Sequence, residues 1–489
     1  MSNGILFQGF EWYLPDDGNY YKDMLLKLDE LSAMGITAIW LPPVCKGTWT
    51  NDTGYGVYDL YDLGEFDQKG AVRTKYGVKE DLKILIDAIH QRGMQVYADV
   101  VLNHKAGADG SERFMAVKVD SNDRTKEVEE PREIEGWTVF KFPGRQGKYS
   151  QFEWNFQHFT GVDFDYLTGD KGIYRILGEN KGWNWGVSSE FGNFDYLMFA
   201  NIDHANNDVK QELIRWANWF IEELHLDGFR LDAIKHIDST FMNEFSNHLK
   251  TKYGDKFYLL GEYWDINIDA KQKYLIDTEF DIELLDVGLH FNLFEASNRG
   301  GDYDLRTIFD NTVIKLNPSK SVTFVDNHDS QPGQSLNSFV EGWFKEIAYG
   351  LILLRNEGYP CIFYGDYYGI GGDRSSGIKE KLDVLSMLRK NHAYGKQDDY
   401  FNEPDLIGWV RHGDQDHPHK LAVVISTKER KSIRMFLGDS EHGKVYADFT
   451  GNCLDKITID DQNYGEFPAE PKSISVWVED GINLQQQST

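Results

Sequence analysis

Hydrophobic positions along this chain alternate between short unbroken apolar runs and longer stretches with helical spacing, the pattern of buried parallel strands covered by helices. Residues 22–34 place Leu25, Leu28, Leu31 and Ala33 at helical intervals, stop at Gly35 and pass directly into the strand-like run Ile36–Leu41. Residues 79–92 repeat the order with Leu82, Leu85, Ile86 and Ile89 on one face, Gly93 as the stop and 95–101 as the strand. A third copy runs from Asp208, a candidate N-cap, through Leu213, Trp216, Phe220 and Leu224 to the strand 228–231. With further runs at 4–10, 257–261, 285–291, 321–325 and 361–364, the strand candidates number eight, enough to close a (β/α)8 TIM barrel.

The spacing is uneven in one place. About 100 residues separate the third and fourth strand candidates, where a single helix would suffice, so an inserted, mostly β domain is expected over 103–205. Beyond residue 392 the helical period fades and the runs 406–411, 420–426, 432–437 and 473–479 predict antiparallel strands. The expected organisation is therefore α/β: a catalytic barrel from 1–102 and 206–391, the insert at 103–205, and a C-terminal β-sandwich at 392–489.

Composition narrows the function. With 51 basic and 79 acidic side chains the net charge is -28, which repels nucleic-acid phosphates and anionic membrane surfaces. No nucleic-acid or membrane partner is expected. The apolar run 347–354 is far short of the ~20 residues that span a bilayer. Cys45, Cys361 and Cys453 are widely spaced and odd in number, so neither a disulfide framework nor a thiolate metal site is suggested. The opening residues, from Met1 to Asp17, lack a basic start followed by an apolar core, and a cytoplasmic location is expected. A monomer is expected.

Chemistry in a barrel gathers where strands end. The third run closes on Asp99, Asn103 and His104; the fourth carries Arg230, Asp232, Lys235 and His236; the fifth leads to Glu262 and Trp264; the seventh to Asp326, Asn327, His328 and Asp329. A single strand-end Asp is usually a turn or helix cap. Carboxylates, imidazoles and an arginine converging from four strand ends point instead to a catalytic rim.

These four segments resemble the four motif regions of the α-amylase family of glycoside hydrolases. The segments Gly54–Leu60, Phe194–Met198 and Tyr364–Asp366 resemble its liquefying bacterial members. The resemblance spans nearly the whole chain. It implies an endo-acting enzyme that hydrolyses internal α-1,4 bonds of starch, glycogen or maltooligosaccharides with retention of configuration. Asp232 would be the nucleophile, Glu262 the acid/base and Asp329 the carboxylate that stabilises the transition state. Tyr55, His104, Arg230 and His328 would hold the sugar at the cleavage point, Lys235 and His236 the leaving-group side, with Trp264, Gln8 and Trp12 as lesser candidates. Arg230 would keep Asp232 ionised, while partial burial and neighbouring negative charge would raise Glu262.

The resemblance also implies a structural Ca2+ held by Asn103, Asp195, Asn201 and the main-chain oxygen of His236. Asn201 stands where the family usually has Asp, which predicts weaker binding. Two acidic positions of a further calcium–sodium cluster are Thr160 and Asn184 here, leaving Asp203, so that cluster is not expected. Within the same chemistry, a transglycosylase, a branching enzyme or an oligo-α-glucosidase is the alternative. From other classes come a non-catalytic glucan-binding or transporter-associated scaffold, which would generally lack a catalytic carboxylate, and a metal-dependent hydrolase on His104, His236 and His328, which would need a short-range ligand pair that is missing.

Overall fold

The computed structural model describes residues 3–481; the outer ends of the first and last expected domains, 1–2 and 482–489, lie outside the described residues. Eight parallel strands close a barrel: β1 (Leu6–Gln8), β2 (Ala38–Leu41), β3 (Gln95–Val100), β4 (Gly228–Leu231), β5 (Tyr258–Gly261), β6 (Glu283–Leu285), β7 (Ser321–Phe324) and β8 (Tyr359–Phe363). Each pairs with its sequence neighbours, and β1 pairs with both β2 and β8. Residues of β2, β4 and β7 are buried throughout, as expected of strands packed on both faces.

The periodic stretches form the outer helices. Lys79–Gln91 buries Leu82, Leu85, Ile86 and Ile89, and Asn207–Leu224 buries Leu213, Trp216, Phe220 and Leu224. The latter is capped by Asn206 rather than Asp208, because the Asn206 side chain accepts from the amides of Asp208 (2.9 Å) and Val209 (3.4 Å). Asp208 sits instead in the first turn, where its charge suits the helix dipole. Residues 22–34 hold two short helices, Tyr20–Leu25 and Leu28–Met34, joined at the exposed Leu26. The second ends at Gly35, whose φ of 95° supplies the left-handed cap.

The expected sixth strand, 285–291, needs correction. The strand is Glu283–Leu285, and Val287–Arg299 is a helix capped by Asp286, which accepts from Leu289 N at 3.2 Å. A fully buried helix start and a buried strand give the same apolar run, so periodicity alone could not separate them.

Between β3 and β4 lies an antiparallel six-stranded sheet that begins at His104–Lys105 and ends at Ala200–Ile202, with Gly110–Val119, Arg132–Val139, Phe159–Asp165 and Asp170–Ile176 as its other members. After the barrel, a six-stranded antiparallel sheet and a two-stranded partner, Lys431–Phe436 with Tyr464–Ala469, form the C-terminal β unit. Strands Gln397–Glu403, Val445–Asp448, Lys456–Thr458 and Tyr464–Ala469 add to the expected four. The buried helix Gly342–Leu353 meets strand Ser473–Glu479, and Gly350 leaves no room for a Cβ beside Ile474. Its apolar run packs inside the protein; among the described residues no helix is long and apolar enough to cross a membrane. All three cysteines are free and buried.

Candidate active site

Parallel pairing places the chemistry. Arg230 on β4 lies in register with Asp99 on β3 and Leu260 on β5. Asp232, two residues on, points to the same side as Arg230, and its amide donates to Val100 O at 2.9 Å. The Glu262 amide likewise donates to Leu231 O at 2.9 Å, which sets the two carboxylates side by side. Between them Ala233 adopts φ 50°, a left-handed conformation that an alanine rarely takes, and its amide donates to Glu262 Oε2 at 2.8 Å.

At the centre is the Arg230 guanidinium, with no solvent exposure. Nη1 donates to Asp99 Oδ1 (2.9 Å), Asp99 Oδ2 (3.1 Å) and Asp232 Oδ1 (2.6 Å); Nη2 donates to Glu262 Oε2 (3.2 Å). The guanidinium also lies 5.0 Å from the Trp40 ring centroid. Asp99 is anchored in turn by Trp40 Nε1 and the Tyr55 hydroxyl, both at 2.9 Å. Asp99, expected on the rim but with no role assigned to it, is thereby joined to the site. The signal for it was its strand-end place directly across from Arg230.

The other side of the rim comes from the turn after β7. His328 Nδ1 accepts from Gln8 Nε2 at 2.9 Å, which leaves Nε2–H facing Asp329 Oδ2 at 3.2 Å. The imidazole lies parallel to Tyr55 (centroids 5.0 Å, 8°) and to Trp12 (6.1 Å, 4°), and Trp12 lies parallel to Tyr55 (5.8 Å, 5°). Gln8 and Trp12 thus support His328 directly.

Charge and burial divide the carboxyl groups. Burial, opposed by Arg230 and reinforced by Asp232 and Asp329, pushes Glu262 up to about 8. Burial also raises Asp329, against Arg230 and with help from Asp232 and Asp99. Burial and the nearby Arg230 depress His328, so its imidazole stays neutral. The arrangement offers a carboxylate held close to a cation beside a carboxyl group that keeps its proton, which is the division needed for attack on one atom and protonation of its neighbour.

The remaining expected residues are more peripheral in this state. His104 Nε2 engages Tyr55 O at 2.8 Å and Nδ1 the Asn103 side chain at 3.1 Å, so its ring braces the Tyr55 loop. Lys235 pairs with Glu190 at 2.9 Å, and His236 Nδ1 engages Phe194 O at 2.8 Å; both tie the end of β4 to the insert. Trp264 packs near His290 (5.9 Å) and Phe291 (6.2 Å).

A family model for the α-amylase catalytic domain matches residues 21–405, and one for the α-amylase C-terminal domain matches 438–478. The chain belongs to the α-amylase family. It is 47% identical over 477 residues to an α-amylase of Geobacillus stearothermophilus, covering 97% of this chain and 87% of the relative. It is 40% identical to the cytoplasmic α-amylase of Escherichia coli, covering 98% of this chain and 99% of the relative. In fold it is similar to the α-amylase of Geobacillus thermoleovorans complexed with acarbose, with a TM-score of 0.64, 20% identity and 97% of each chain covered.

The α-amylase resemblance implies a calcium, and the residues expected to hold it lie buried at the junction of barrel and insert around a carboxylate with no cationic partner among the described residues. Asn103, Asp195 and Asn201 have no solvent exposure. Asn103 Nδ2 donates to His236 O at 3.3 Å, and Asn201 Nδ2 to Thr160 Oγ1 at 2.9 Å. Asp195 accepts from Asn184 Nδ2 at 3.0 Å, and among the described residues no cationic side chain pairs with it. Burial, opposed by Asn184 and Thr160, pushes Asp195 up to about 7, the mark of a carboxylate short of positive charge. Carbonyl and carboxylate oxygens are the donors a hard cation takes. Asp203, by contrast, has its cation: Lys181 Nζ reaches its Oδ2 at 2.6 Å and also donates to Gln157 O and Phe159 O.

Proposed function

We propose that this protein is an endo-acting hydrolase of internal α-1,4-glucosidic bonds in starch, glycogen or maltooligosaccharides, working with retention of configuration. The observation that carries the reading is the asymmetry around Arg230: the shorter contact goes to Asp232, and the raised carboxyl is that of Glu262. Relatives named α-amylase and, at 46% identity, glucan 1,4-α-maltohexaosidase support the substrate class.

In the first step the Asp232 carboxylate attacks the anomeric carbon as its bond to the glycosidic oxygen breaks, and Glu262 gives its proton to that oxygen. In the second, water attacks the same carbon, its proton passes to Glu262 and the bond to Asp232 breaks. Asp329 and the neutral His328 hold the sugar while positive charge develops in the transition state of each step. The buried Arg230 guanidinium, 2.6 Å from Asp232 Oδ1, gives the attacking carboxylate a positive partner. Incubation with a blocked maltoheptaoside is expected to give mid-chain cleavage and products released as the α-anomer. A β-anomer, or release from the chain end alone, would overturn the reading; elongated products with added acceptor would favour a transglycosylase.

Asn103, Asp195, Asn201 and His236 O would hold calcium, which when bound neutralises Asp195 and joins barrel to insert. Calcium at a hundredfold excess over its Kd should contribute ~2.7 kcal/mol and raise Tm by a few °C. Chelator should reverse the gain, and Asp195→Asn should abolish it. A calcium-independent Tm in the unaltered protein would argue for a metal-free junction. A cytoplasmic, monomeric enzyme is the state we infer; the cytoplasmic relative and the reduced, buried cysteines support the location.

A further inference from the structure

The turn that carries His328 and Asp329 is clamped from behind. Asp326, its first residue, accepts from Ser330 Oγ at 2.8 Å, from Val340 N at 3.2 Å and from Lys345 Nζ at 2.5 Å. Inside the same turn Asn327 Oδ1 accepts from the amides of Asp329 (2.9 Å) and Ser330 (2.8 Å). Asp326 thus grips both ends of a five-residue turn, and Lys345 grips Asp326. Lys345 comes from the buried helix Gly342–Leu353, and its ammonium also contacts Asp366 Oδ1 at the end of β8 and lies 3.4 Å from the Phe339 ring centroid. The Tyr349 hydroxyl, one turn along the helix, donates to Asp366 Oδ2 at 2.7 Å. Lys345, Asp326 and Asp366 are 3%, 1% and 1% exposed. A charged trio this deep costs desolvation that an apolar trio would not, so stability alone is a weak account of it.

We propose that Lys345 is a positioning residue for the reaction, holding Asp326 so that the turn presents Asp329 and His328 to the sugar. The inference rests on the assignment of Asp329 to the transition state. Its geometry is directional: Asp326 belongs to the turn, whereas Asp366 shares the ammonium but makes no side-chain hydrogen bond to the turn among the described residues.

Three variants separate positioning from stability. Asp326→Asn and Asp366→Asn each remove one carboxylate charge from Lys345, and both should lower Tm. Lys345→Met and Asp326→Asn should lower kcat on a blocked maltoheptaoside by about 10²-fold and about 10-fold, the range a displacement of under ~1 Å produces, with KM within about threefold. Asp366→Asn should keep kcat within about twofold when assayed below its Tm. Equal loss of kcat in Asp366→Asn, or unchanged kcat in folded Asp326→Asn and Lys345→Met, would overturn the proposal. Asp329→Asn is the control for the assignment beneath it: an active Asp329→Asn overturns that assignment and this inference together. An inactive Asp329→Asn beside an active Lys345→Met overturns the inference alone.

Discussion

Asp232→Asn is expected to lower kcat by about 10⁴-fold or more while the protein remains folded. The loss follows from the amide being unable to form the ester that carries the sugar between the two steps. The fold should survive because Arg230 retains both of its contacts to Asp99, and removal of one carboxylate leaves no buried charge alone. Asp232→Ala gives a sharper test, because it opens space on the face from which Asp232 would attack. Added azide should enter there, bond to the anomeric carbon as Glu262 protonates the departing oxygen, and yield a β-glycosyl azide. A variant that keeps a tenth of the activity, or an azide product of the α configuration, would exclude Asp232 as the nucleophile.

Much of this site was legible as residue types at strand ends, because a parallel barrel sends every strand's C-terminal end to one rim. Arg230 and Asp232 could be placed on one side of β4 from their spacing alone, and the structure has both there on a single guanidinium. What spacing could not show is register between strands: Asp99 matters because it lies across from Arg230, and nothing local to Asp99 says so. The parallel rings of Trp12, Tyr55 and His328 come from three separate segments, and their contact exists only in three dimensions. The same limit hid the Lys345 clamp: in sequence Lys345 stands beside Glu346, but its ammonium turns to Asp326 and Asp366 on other segments.

The fold shows the reverse balance. Amphipathic helices were readable wherever one face is buried and the other wet, as in Lys79–Gln91. The reading failed where both faces are buried: Leu284 to Leu289 is apolar across the change from β6 to helix, and the deciding residue is Asp286. Its carboxylate accepts not only from Leu289 N but from Ile314 N (2.7 Å) and Ser321 Oγ (3.1 Å), so tertiary partners fix where the strand ends. In the C-terminal unit, Lys456–Thr458 is three residues with a single partly buried side chain, too short and too polar to carry a period.

Glu262→Gln is expected to reduce kcat on a maltooligosaccharide by about 10²–10⁴-fold, the usual contribution of a general acid. Glutamine keeps the shape and the contact with Ala233 N but has no proton to give. Leaving-group dependence separates this from a binding defect: an aryl glucoside that departs as a stable phenolate should suffer far less than a sugar leaving group, which departs as an alkoxide unless protonated. The pH profile separates it from a conformational one. The acid acts only while protonated, so activity of the unaltered enzyme should be full below the Glu262 pKa and fall as pH rises through it. With burial, Asp232 and Asp329 all raising that value, the fall should lie well on the basic side of an ordinary glutamic acid. Glu262→Gln should have no such basic limb. In Asp329→Asn, where a negative neighbour is removed, the residual activity should show the limb displaced to lower pH, since less charge then favours the protonated form. A Glu262→Gln enzyme with the unaltered basic limb would move the acid to another residue, whereas an Asp329→Asn limb that stays in place would show that burial and Asp232, without Asp329, raise Glu262.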